Sequence, residues 1–177
     1  MYPEKSIYVK LAMQTIVATV KKLNIETIKQ LEIPDELNVH QACFVSIHLL
    51  DGNLRGCIGT IEPREKNLFY EIISNATSAA TKDSRFSPIL DEELDKLNIS
   101  VDVLSKPYLI DDINQLNPNK FGIIVSDGGF SKGVLLPNIE GIETTEKQLN
   151  IAKRKAGLTN YHLKDLKIYA FTSTRYH

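Results

Sequence analysis

The chain has 177 residues, 42% of them hydrophobic and 24% charged, with 21 basic and 22 acidic side chains that leave a formal charge of -1. Such a length makes one domain, or two small interdependent lobes, able to bury about 70% of the unfolded surface without a metal or disulfide. The composition excludes disorder and fibrous folds, and the interspersed charges, with no single-sign run, argue against nucleic acid as a partner.

Met1–Lys10 lacks an apolar signal core, and no apolar run reaches the roughly 18 residues needed to cross a bilayer, so no membrane association and a cytoplasmic location are expected. The two cysteines, Cys43 and Cys57, form neither a disulfide framework nor a CxxC pair. No HExxH or Cys/His ligand spacing occurs, and neither a metal nor a cofactor is expected.

In chain order, Ile7, Leu11, Ile16 and Val20 recur at helical spacing and predict an amphipathic first helix ending at Lys21 and Lys22. Residues 24–41 contain Pro34 and read as a connection with at most a short helical turn. Residues 42–50 alternate, with Cys43, Val45, Ile47 and Leu49 on one face and Phe44, Ser46 and His48 on the other, which predicts a strand. Asp51-Gly52 is a preferred hairpin dipeptide, with 53–60 as the returning strand. A two-residue turn places Val45 opposite Ile58, Ser46 opposite Cys57 and His48 opposite Arg55, with His48 diagonal to Cys57 at about 7 Å. A one-residue change of loop length would move Arg55 opposite Leu49.

After Glu62-Pro63, the positions Leu68, Ile72, Ile73, Ala76, Ala79 and Ala80 predict a helix over 66–81. Lys82 to Pro88 is a structured loop, and 91–97 a short helix. Strands are predicted at 98–104, 121–125 and 166–173, with a long irregular connection over 106–120. Asp127-Gly128-Gly129 is a turn, and a further helix starts from Thr144 as N-cap and closes at Gly157. Hairpins and irregular loops favour an α+β fold over a doubly wound parallel sheet.

The segment Leu54-Arg55-Gly56-Cys57-Ile58-Gly59 concentrates the chemistry. In an extended strand Arg55 and Cys57 share a face, where a guanidinium favours the thiolate. Cys57 has two readings: a nucleophile or ligand-contacting thiol activated by Arg55 or Arg85, or a small buried residue between glycines. Cys43, on the opposite face, reads as core. Gly56 and Gly59 either admit a ligand closely or mark a bend. Arg55 and Arg85 can clamp a carboxylate or phosphate, or tie down their own loops. Asp83 can act as a base, orient Arg85 or make a turn, and Asn75 in an apolar helix suggests a buried hydrogen bond. Lys155 suits a helix C-terminus.

The order LRGCIGT at 54–60, DSRFSP at 83–88, VDVL at 101–104, GVLLPN at 133–138 and KAG at 155–157 resembles the AMMECR domain family, from about Tyr8 to the C-terminus. LLPNIEGIETTEKQLNIAKRKAG and the Arg175-Tyr176-His177 ending resemble the AMMECR domain of the bacterial AmmeMemoRadiSam system. That resemblance implies a single AMMECR-type domain over 1–177, with a largely antiparallel sheet packed by helices and two lobes around a central cleft. It carries over Arg55, Gly56, Cys57 and Gly59, then Asn75, Asp83, Arg85 and Phe86, and finally Leu136, Pro137 and Lys155. His48 lies outside the family pattern, and Asn138 stands where many members carry glutamine. With no Memo-like segment in the chain, the resemblance admits either the C-terminal domain of a fusion or a stand-alone protein.

The resemblance supplies no reaction. The leading expectation is an enzyme or enzyme subunit that holds a small anionic or nucleotide-like ligand in a cleft beside the LRGCIG segment. Cys57 would be the candidate catalytic residue, and Arg55, Gly56, Gly59, Asn75, Asp83, Arg85, Phe86 and Lys155 the ligand-binding set. The alternative is a non-catalytic module that docks a Memo-like domain or a radical SAM protein.

Overall fold

A computed structural model describes residues 6–177. The chain divides into two compact units, one running to Val103 and completed by Thr174–His177, the other covering Leu104–Ser173.

In the first unit, α1 (Ile7–Val20) starts at Ser6, whose hydroxyl accepts the Val9 N–H, and buries Val9, Ala12 and Ile16. The connection that follows holds a single helical turn, α2 (Glu26–Lys29), and a turn of 3-10 helix at Asp35–Leu37. Strands β1 (Cys43–Leu49) and β2 (Leu54–Gly59) form a hairpin, but its turn corrects the two-residue expectation. Leu49 N donates to the Asn53 carbonyl at 2.9 Å, so Leu50, Asp51 and Gly52 make a three-residue loop with Gly52 at φ +88°. Helix α3 (Leu68–Thr81) is capped by the Asn67 side chain, two residues later than the sequence pattern suggests. A 3-10 turn at Asp91–Lys96 leads into β3 (Leu97–Leu104).

The sheet order in this unit is β2-β1-β3-β8, where β8 is Ser173–Tyr176. One sheet face, with Cys43, Val45, Ile47, Ile99 and Val101, packs under α1 and α3 as a continuous core. Each large aliphatic side chain there contributes about 1.5–3 kcal/mol by leaving water. At Gly56 α3 lies so close that a Cβ would stand 2.4 Å from the Ala79 carbonyl oxygen, which explains glycine in mid-strand.

The second unit has the sheet order β4-β7-β5-β6, built from β4 (Tyr108–Leu109), β5 (Gly122–Ser126), β6 (Lys132–Leu135) and β7 (Lys167–Phe171). Helix α4 (Thr145–Lys155) is capped by Thr144 as expected and buries Leu149 and Ala152 against that sheet. Gly157, at φ +73°, closes it.

Two further expectations are corrected. The segment 106–120 is not wholly irregular, because Tyr108–Leu109 pairs with β7 and Ile113–Gln115 makes a 3-10 turn. The final predicted strand is two strands, with the chain breaking at Thr172 before β8 joins the first sheet. Both sheets are antiparallel in their described pairings, which makes the fold α+β. Among the described residues no helix is long and apolar enough to cross a membrane.

Candidate functional site

The β1–β2 register agrees with the hairpin reading as far as Val45 opposite Ile58, Ser46 opposite Cys57 and Ile47 opposite Gly56. It then shifts, and His48 faces Leu54. Arg55 is the extra residue of a β-bulge, which bends the strand and re-aims its side chain. His48 therefore does not face Arg55, and the His48–Cys57 pairing is replaced by Ser46, whose Oγ donates to Cys57 Sγ at 3.2 Å.

The bulge also removes Arg55 from the thiol. Its guanidinium grips Glu93 side-on, with Nε to Oε1 at 2.7 Å and Nη2 to Oε2 at 2.9 Å, and donates from Nη1 to the Ser87 carbonyl at 2.9 Å. With 12% of its side chain exposed, Arg55 ties the loop before β3 to the hairpin. Glu93 is a residue the sequence reading missed. Its position three residues after Leu90, whose N–H it caps at 2.8 Å, is the local signal that could have found it.

Arg85 is the cation beside Cys57. The Asp83 carboxylate accepts the Cys57 N–H at 2.8 Å, and Arg85 holds the same carboxylate through Nε at 3.0 Å and Nη2 at 2.7 Å. Arg85 Nη2 also reaches the Cys57 carbonyl at 3.4 Å. Cys57 lies on β2, an edge of its sheet, and pairs with β1 as a non-hydrogen-bonded residue, so its N–H and C=O both point outward. Asp83 and Arg85 clasp those two groups and blunt the edge. The Phe86 ring lies 5.4 Å from the guanidinium carbon, and the Phe86 N–H closes the loop on the Asp83 carbonyl.

Charge in this cluster is closely matched. The hydrogen bonds from Arg85, then those from the Cys57 and Arg85 backbone, hold the Asp83 carboxyl well below the usual carboxylate range. Arg55 lowers Glu93 in the same way. Burial pushes the Cys57 thiol up, and the Ser46 hydrogen bond and Arg85 offset only part of that. Of the two arginines weighed as activators of Cys57, Arg85 is the one that acts on it, and burial favours the thiol form of the cysteine.

Other predicted site residues meet neighbours of their own. Gly56 admits α3, and at Gly59 a Cβ would stand 2.2 Å from Phe44 Cγ, so each glycine makes room for a packed neighbour. Asn75 donates to the Cys43 carbonyl at 3.0 Å, the buried bond its position suggested. Lys155 belongs to the second unit, where its Nζ donates to the carbonyl of Val134 on the edge strand β6 at 2.7 Å. Cys43 is core, its thiol pushed up to about 12 by burial.

Two buried carboxylates went unread in the sequence. Glu71 accepts from Thr60 Oγ1 and from the Arg64 and Glu65 N–H groups, anchoring the loop after β2. Asp102 is gripped by Arg175 Nε and Nη2, each at 3.0 Å. Among the described residues no three His, Cys, Asp or Glu side chains are placed to hold a metal ion.

The chain thus has two antiparallel-sheet units, the first of which carries a cysteine clasped on an edge strand by an Asp-x-Arg loop. The sequence model of the AMMECR1 family matches residues 9–176, and the chain belongs to that family. A Thermotoga maritima protein is 49% identical over 145 residues, 81% of this chain and 82% of that protein. A Clostridium acetobutylicum protein is 41% identical over 178 aligned residues, 98% of this chain but 36% of that protein, so the chain spans about a third of that relative. The crystal structure of an uncharacterised Pyrococcus horikoshii protein superposes with a TM-score of 0.81 at 31% identity, covering 95% of this chain and 88% of that one.

Proposed function

We propose that the protein is the anion-recognising subunit of an AmmeMemoRadiSam-like system in the cytoplasm, and that its Asp83–Arg85–Cys57 edge holds a small anionic or nucleotide-like ligand. The observation that carries this reading is the posture of Arg85. Asp83, with 5% of its side chain exposed, holds the guanidinium by its Nε–Nη2 side, while 55% of the Arg85 side chain is exposed and Nη1 enters no described hydrogen bond. A guanidinium fixed in advance loses little freedom when its remaining edge meets a carboxylate or phosphate. Cys57 then lines the site as a neutral thiol. Calorimetric titration with inorganic phosphate and with acetate tests the reading: saturable binding that Arg85→Gln weakens at least tenfold is expected, and binding untouched by that substitution overturns it.

A docking role beside a Memo-like domain or a radical SAM protein is the second reading. It is favoured by the pairing of each arginine with its own carboxylate, which leaves the cluster nearly neutral. The greater length of the Clostridium relative supports a module that works next to other protein segments. Co-purification of such a partner, lost in Arg55→Ala or Arg85→Ala while the fold persists, would favour docking; retention in both would count against it.

A further inference from the structure

The β2 edge carries another donor next to Arg85. In an antiparallel ladder, residues that exchange hydrogen bonds with the neighbouring strand alternate with residues whose N–H and C=O turn away from it. Thr60 N donates to the Cys43 carbonyl at 3.1 Å, so Gly59, opposite Phe44, belongs to the outward set. Cys57 belongs to the same set, as its bond to Asp83 shows.

The outward groups therefore run along the edge as Cys57 N–H, Cys57 C=O, Gly59 N–H and Gly59 C=O. Asp83 takes the first and Arg85 Nη2 the second. Among the described residues no acceptor meets the third. The Arg85 guanidinium thus stands over the carbonyl adjacent to an uncommitted amide on a half-exposed glycine.

Resting on the reading that the Arg85 edge takes an anion, we propose that the Gly59 N–H and the Arg85 guanidinium form a two-donor site for a single carboxylate or phosphate group. Asp83 does not compete for that place, because its oxygens already face the Cys57 N–H, the Arg85 N–H and the Nε–Nη2 side of the guanidinium. A main-chain amide adds direction to the charge of the arginine, since the strand fixes where it points. The two donors also explain why the anion would seat at this point of β2 and not elsewhere on the strand.

The test uses the intact chain labelled with 15N-glycine and, in a second sample, with 15N-arginine; the nine glycines give a sparse amide spectrum and the second sample shows the arginine Nε–H signals. Inorganic phosphate is titrated in one arm and acetate in the other, at constant ionic strength. The expected result is a saturating downfield shift of the Gly59 amide proton, with a Kd on the order of 1–10 mM that matches the Kd read from the Arg85 side-chain Nε–H signal. Arg85→Gln weakens this at least tenfold, Arg85→Lys less, and Arg154→Gln, on the second unit, leaves it unchanged. The other eight glycine amides report whether each variant is folded.

Phosphate alone moving Gly59 assigns the site to phosphoryl ligands, acetate alone to carboxylates, and either supports the proposal. Arg85-dependent binding with a stationary Gly59 amide overturns the two-donor site and leaves the anion reading standing. No saturable binding in either arm overturns both.

Discussion

Asp83 accepts the backbone N–H of Cys57 at 2.8 Å while the guanidinium two residues along the same loop holds its carboxylate. A side chain thereby takes the part a neighbouring strand would play for the edge residue. Asp83→Asn should cost about 2–3 kcal/mol, because the amide cannot satisfy both the buried N–H and the guanidinium. Urea unfolding at pH 7 measures it.

The same contact has a defined pH signature. Its carboxyl pKa is depressed on folding, so its stabilisation is fully present above the unfolded value of about 3.9 and fades as pH falls below it. The difference in unfolding free energy between the native chain and Asp83→Asn should be flat above about pH 5 and shrink on acidification below about pH 4. A difference that grew toward low pH would contradict the assignment.

Cys57 should alkylate slowly with iodoacetamide at pH 7, the rate climbing with pH through about 9, since burial favours its thiol form. Arg85→Gln should slow it further by removing the one nearby cation that lowers its pKa. Cys43, fully buried, should react only after unfolding. Mass mapping of alkylated peptides over time reads all three, and a Cys57 that outpaced a free thiol would restore the nucleophile reading.

Arg175 pairs with a carboxylate that has 4% of its side chain exposed, while 49% of its own remains in water. Arg175→Met alone should cost about 1–3 kcal/mol, less than a fully buried pair because one partner is solvated. Adding Asp102→Asn should recover part of that loss, and a double-mutant cycle by chemical denaturation gives the coupling.

Gly56→Ala should destabilise by about 1–3 kcal/mol or more, since its Cβ would meet the α3 backbone at Ala79 and not a yielding side chain. Gly133→Ala should do the same in the second unit, where the Cβ would stand 2.0 Å from the Ala152 carbonyl oxygen. Thermal melts of the two variants check both.

Elements with a local cause were legible in the residues. The period of Leu68, Ile72, Ala76 and Ala79 marked α3, the alternation from Cys43 to Leu49 marked β1, and Asp51-Gly52 marked the turn between β1 and β2, though not its three-residue length. The family resemblance was legible too, since the order of residue types survives without coordinates. The bulge at Arg55 left no such trace: it offsets the extra residue of the turn, and the side chain it re-aims meets Glu93 from 38 residues away.

The same reason divides the cysteine from its surroundings. Its type, its flanking glycines and its strand face follow from neighbours in the chain. Its protonation and its clasp by Asp83 and Arg85 follow from burial and from a loop brought alongside by α3, and long-range packing alone sets them.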